Sequence, residues 1–167
     1  MKVGVSILTA LIVCSAAAAS VPQYTTTQAR IAARVLGYPK PGARKIMCKG
    51  GPVFRCKAVY RRTTRRFVLT VGLEGGWVCA GRTPHTCHVL PKGFVPASWV
   101  TGWGGLEAAA TYTADGYIQK HYDVTPQQAG GCNPFGSNAY TCAYSTPSVI
   151  VTVTYKKVHG GWTVTAT

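Results

Sequence analysis

The stretch from Cys48 to Trp77 reads CKGGPVFRCKAVYRRTTRRFVLTVGLEGGW, and it decides how the rest of the chain is read. From Val53 to Arg61 apolar and cationic residues alternate: Phe54, Cys56, Ala58 and Tyr60 on one side, Arg55, Lys57, Val59 and Arg61 on the other. Period-two alternation predicts a half-buried strand whose wet face is basic. Arg61-Arg62-Thr63-Thr64-Arg65-Arg66 is expected to be a turn, after which Phe67, Leu69, Val71 and Leu73 point inward along a second strand. Glu74-Gly75-Gly76 turns the chain again, and Trp77 to Ala80 makes a third short strand.

The plan returns downstream. Cys132 to Trp162 reads CNPFGSNAYTCAYSTPSVIVTVTYKKVHGGW, again a cysteine pair, two β-type runs, a glycine pair and a tryptophan. Tyr38 to Tyr122 and Cys48 to Cys132 are each 84 apart, Trp77 to Trp162 is 85 and Cys56 to Cys142 is 86. Self-similarity at one offset signals internal duplication.

Each copy is preceded by a helical pattern. Thr25-Thr26-Thr27 supplies caps for a helix over Gln28 to Leu36, with Arg30 and Arg34 on a solvated face and Gly37 as the stop. A second helix is expected within Leu106 to Tyr122, broken near Gly116, with Tyr117, Ile118 and Tyr122 buried. Gly81 to Pro96 reads as a loop, and Trp99 and Trp103 read as plugs at the seam between copies. The expected fold is α+β: two tandem repeats, each a short helix, a disulfide loop and a three-stranded antiparallel meander, with the meanders able to join in one larger sheet. The divisions are residues 1–19 as a signal peptide, 20–90 as a basic first repeat, 91–104 as a linker and 105–167 as a neutral second repeat.

The signal peptide follows from Lys2, the apolar run Val3 to Val13, and small residues at Ala17 and Ala19. The run is too short to span a membrane comfortably, so no membrane span is expected after its removal. An exported chain folds in an oxidising compartment, secreted or in a cell envelope or periplasm. Cys48, Cys56, Cys79, Cys87, Cys132 and Cys142 then read as disulfides. Six cysteines allow 15 pairings; proximity and the repeat favour Cys48–Cys56, Cys79–Cys87 and Cys132–Cys142.

The formal net charge is +14, and it is lopsided. Residues 21–95 hold 14 Lys or Arg and a single acid, Glu74, whereas residues 96–167 hold three of each sign. Such asymmetry points to a polyanion partner for one half. Arginine presents a flat, permanently charged fork suited to phosphate or carboxylate. The candidate binding residues are Arg55, Lys57, Arg61, Arg62, Arg65 and Arg66, and the four turn arginines Arg61, Arg62, Arg65 and Arg66 do not recur in the second copy. Tyr60 and Phe67 flank them and are expected in the core.

Other chemistry is thinly represented. Cys79, His85, Cys87 and His88 are zinc-ligand types, but their spacing matches no zinc pattern and export favours the disulfide. Four acids in the mature chain leave little for paired carboxylates, and no Gly-x-Ser-x-Gly turn or phosphate-cradling Gly-x-x-x-x-Gly-Lys is present. No catalytic residue, metal or cofactor is expected. A small nuclease would have to use His85, His88 or His121 with Glu74.

The layout of two helix-plus-meander copies, each with a local bridge, resembles the secreted β-lactamase inhibitor proteins, and it implies a protein-inhibitor function as one alternative. The leading expectation is a secreted, disulfide-stabilised, non-catalytic protein whose first repeat binds a cell-envelope polymer or nucleic acid through a basic hairpin. A protein-binding module or enzyme inhibitor comes second and a nuclease third.

Overall fold

Alternation, caps and cysteine spacing resolve into two antiparallel sheets and three helices in a computed structural model, which describes residues 24–71, 76–125 and 131–167. The expected signal peptide, Leu73, Glu74, Gly75, Pro126 and Gly130 lie outside the described residues.

Helix α1 spans Thr26–Val35, two residues earlier than its sequence start, because Thr25 rather than a later threonine takes the cap. Its hydroxyl accepts from the Gln28 amide, and the Gln28 side chain accepts from the Thr25 amide, so two orphan donors are satisfied reciprocally. The helix ends in a Schellman motif. The Tyr38 amide donates to the Ala33 carbonyl and the Gly37 amide to the Arg34 carbonyl, with Gly37 left-handed at φ 67°. Ala29, Ala32 and Ala33 are fully buried, small side chains on the face of a helix that packs against strands of both sheets.

The first sheet has the order β1(Lys45–Gly50), β2(Val53–Val59), β3(Thr64–Val71), β4(Val78–Gly81) and β5(His88–Val89). It is a five-stranded meander rather than the expected three. Strand β1 was expected as part of a disulfide loop, but Cys48 pairs directly opposite Cys56 across the β1–β2 hairpin with a Cα separation of 4.1 Å. Ile46, Phe54, Cys56, Ala58, Phe67 and Leu69 form its inner face.

The second sheet has the order β6(Gly93–Pro96), β10(Gly161–Ala166), β9(Ser148–Val158), β8(Ala139–Ser145) and β7(Cys132–Pro134). Cys132 pairs opposite Cys142 at 4.2 Å, the same hairpin device as in the first sheet. The third bridge, Cys79–Cys87, ties β4 to the segment just before β5, so all three expected local bridges form. The two sheets remain separate.

Residues 91–104, expected as a linker, hold β6 and helix α2(Ala97–Gly102). Their partner lies far along the chain: Trp162 pairs with Val95 and Val164 with Gly93. Helix α3(Leu106–Tyr122) runs unbroken through Gly116. That glycine is buried, and packing offsets the helical cost of about 1 kcal/mol. Ala109, Ala110, Thr113, Ala114 and Ile118 face the second sheet; Tyr117 is half-buried, and Tyr122 is exposed rather than buried. The Thr113 hydroxyl donates to the Ala109 carbonyl at 2.8 Å and lies 3.1 Å from the Tyr155 hydroxyl, which closes a buried polar pair.

One core runs through both sheets, joining Phe54 and Leu69 to Val151, Val153 and Val164. Trp77 is 4 % exposed at the join, with its ring centroid 6.2 Å from that of Tyr117 on α3. Trp99 is buried against Tyr24 and Trp103, as a seam plug would be.

Candidate functional site

Because side chains alternate along a strand, the register of the first sheet dictates which cations share a face. Cys48, Cys56 and Phe67 stand in one row on the inner side. The neighbouring rows therefore point outward: Lys49 with Arg55 and Val68, then Met47 with Lys57 and Arg66. These rows are one strand spacing wide, about 4.7–4.9 Å per step, and the cations within a strand are about 6.6–6.8 Å apart.

Of the six residues singled out from sequence, Arg55, Lys57 and Arg66 come together on this outer face, and all three are exposed. Arg61 and Arg62 sit exposed in the turn at the tip of the β2–β3 hairpin. Arg65 does not join them. It belongs to β3, pairs opposite Ala58 and so lies on the inner side, emerging where the core ends. The six-residue arginine turn is thus shorter than expected, since β3 begins at Thr64.

Sequence inspection missed Lys49, Met47 and Arg82, which complete the face together with Val68, whose outward place the alternation of the second strand already gave. With Arg55, Lys57 and Arg66 they line a depression of about 520 Å³. Met47 and Val68 give it an apolar floor, and five cations surround that floor. One signal was legible: Lys45, Met47 and Lys49 alternate with Ile46 and Cys48, the pattern of a strand. The far side of this face ends at the Cys79–Cys87 bridge, whose two sulfurs contact the Thr70 hydroxyl.

The electrostatics are one-sided. Residues 24–71 contain no acid. Lys49 stands directly opposite Arg55, and Lys57 directly opposite Arg66. Like charges in directly opposed cross-strand positions destabilise a sheet. Two such pairs on one face create a concentrated positive potential that attracts anions.

The flanking aromatics are committed elsewhere. Phe67 is buried and edge-on to Tyr38 at 5.3 Å, and the Tyr60 hydroxyl donates to the Lys40 carbonyl at 2.7 Å. The described rows of the outer face carry aliphatic and cationic residues, so they offer no aromatic platform.

The zinc alternative loses two of its four ligands, because Cys79 and Cys87 are joined. The histidines weighed for nuclease chemistry sit on different elements. His85 lies in a single 3-10 turn over Pro84–Thr86, His88 in β5, and His121 in α3, where it stacks on Tyr117 at 4.1 Å. Among the described residues no helix is long and apolar enough to cross a membrane.

Comparison with known proteins finds no matching family model, no matching curated protein and no matching solved structure. The likeness to the secreted β-lactamase inhibitor proteins therefore rests on element order alone.

Proposed function

We propose that this chain is an exported, non-catalytic protein that holds an anionic polymer on the outer face of its first sheet. The observation that carries this is the two pairs of directly opposed cations, Lys49 with Arg55 and Lys57 with Arg66. A sheet face selected only for solubility does better with mixed charges; a polyanion converts the repulsion into binding. Export is supported by the N-terminal sequence pattern and by three disulfides, which suit an oxidising compartment. The polymer is read through its charges and not its bases, since the face lacks the aromatic side chains on which single-strand binders stack successive bases. A phosphate- or sulfate-bearing envelope polymer fits this better than a nucleic acid.

The two halves are also read as degenerate copies. A helix, a disulfide-clamped hairpin and a meander recur in the same order, and the cation pairs belong to only one copy. A protein partner is the second reading, favoured by the 66 % exposed Ile150 and 64 % exposed Phe135 on the second half.

The test is anisotropy of labelled polyphosphate and of a labelled single-stranded oligonucleotide over a salt series. Polyphosphate should bind at least as tightly per charge, with affinity falling steeply as salt rises through counterion release. Lys57→Gln with Arg66→Gln should weaken it more than tenfold and shallow the salt slope. Binding that ignores both the salt and the double substitution overturns the proposal.

A further inference from the structure

A second cationic feature lies on the opposite side of the first sheet. Adjacent residues of one strand face opposite ways, and β1 shows it here: Met47 lines the polymer face, whereas Ile46 lines a pocket of about 290 Å³ beneath α1. Arg30 and Arg34, one helical turn apart, form one rim of this pocket, and His159 from the turn between β9 and β10 forms the other. Ile31, Val35 and Ile46 make its floor.

From sequence Arg30 and Arg34 are a solvated helix face, but the fold adds an apolar floor and the imidazole of His159 from a segment more than a hundred residues away. The wall is held close by Gly160, left-handed at φ 80°, where a Cβ would meet Ile31 Cδ1 at 3.2 Å. Among the described residues, none that lines the pocket is acidic. The acids of the second half lie on or just after α3, and Asp115 there is engaged by the Tyr144 hydroxyl at 2.6 Å.

We infer that this pocket binds a small amphipathic anion: one carboxylate, sulfonate or phosphate head with a short apolar body. Two arginine forks match such a head, and Ile31, Val35 and Ile46 cover the body. The volume is equivalent to about ten waters at roughly 30 Å³ each, at the small end of ligand pockets. That suits a ligand of roughly ten non-hydrogen atoms and is too small for a polymer segment with its hydration. The site is independent of the polymer face.

The experiment is amide chemical-shift titration of the intact oxidised protein with octanoate, and with acetate and 1-octanol as the two half-ligands. Octanoate should bind at least tenfold more tightly than either, with shifts centred on α1, Ile46 and His159. Arg30→Gln with Arg34→Gln should weaken octanoate at least tenfold, with an unchanged thermal melt since both side chains are exposed. The same variant should keep polyphosphate binding, and Lys57→Gln with Arg66→Gln should keep octanoate binding, so the two sites fail separately. Acetate binding as well as octanoate, octanol binding as well as octanoate, or octanoate binding indifferent to the arginines each overturns the inference.

Discussion

The outer faces of the two sheets are built alike and furnished differently. On the first, the directly opposed pairs are Lys49 with Arg55 and Lys57 with Arg66; on the second, they are Thr141 with Thr152 and Thr154 with Thr165. Threonine is a good strand residue, and opposed threonines are mutually favourable. The second face therefore carries favourable opposed pairs in its described rows. The first gives up those favourable pairs for repulsive ones. Both sheets carry a disulfide-clamped hairpin, Cys48 opposite Cys56 and Cys132 opposite Cys142, and their outer faces differ in charge.

The comparison breaks first if inner and outer positions are not separable. Phe54 and Arg55 are neighbours on β2, one 1 % exposed and one exposed. Phe54→Ala should cost about 3–5 kcal/mol in denaturant unfolding, whereas Arg55→Gln should leave the midpoint unchanged or raise it. Next come the bridges. Replacing Cys48 with Cys56, or Cys132 with Cys142, by alanines should each cost about 2–3 kcal/mol, as short closed loops do. Similar losses from the two halves would sharpen the claim that the hairpins are equivalent; a loss confined to one would break it.

Smaller effects test the trade between binding and stability. Lys57→Thr with Arg66→Thr writes the second face's pair onto the first. It should raise stability by about 0.2–1 kcal/mol while weakening polyphosphate. The reverse graft, Thr141→Lys with Thr152→Arg, should lower stability by a similar amount and add polyphosphate affinity; no gain in affinity would mean that opposed cations alone do not make the site.

The smallest effect concerns Asp115, whose pKa burial raises above the ordinary carboxylate value, with the Tyr144 hydrogen bond pulling less strongly the other way. The folded protein thus holds this proton more tightly than the unfolded chain. The associated stability is complete below the ordinary aspartate range and is withdrawn as pH rises through the raised value. Asp115→Asn should match the parent at pH 3 and equal or slightly exceed it at pH 7, by less than about 1 kcal/mol. Thermal melts at both pH values check this, and a variant less stable only at pH 7 contradicts it.

Much of this was legible in the sequence where interactions are local. Alternation through Val53–Val59 and Val149–Tyr155 marks β2 and β9, and short cysteine spacings select the three bridges. The elements that escaped are those whose partners are remote or whose strands are short. Strand β6 is four residues and pairs with β10 near the other end of the described chain; β1 hides behind Gly50-Gly51-Pro52 and its own lysines. The site was legible in part for the same reason. Arg55, Lys57 and Arg66 could be assigned to a face from alternation, but Arg65, read as part of the turn, needed the point where β3 begins. Lys49 and Arg82 needed strand pairing that no short-range pattern supplies.

The position of β10 governs the order in which the molecule can be completed. It follows every other described strand in the chain, yet it lies between β6 and β9. During synthesis β6 emerges long before the strand that will sit beside it, and it must wait without a partner until Gly161–Ala166 are made. The Val95 and Phe94 core contacts that depend on it wait too. The second sheet is thus closed from its middle and last. A version ending before Gly161 should stay susceptible to protease throughout β6 and α2, even with all six bridging cysteines present.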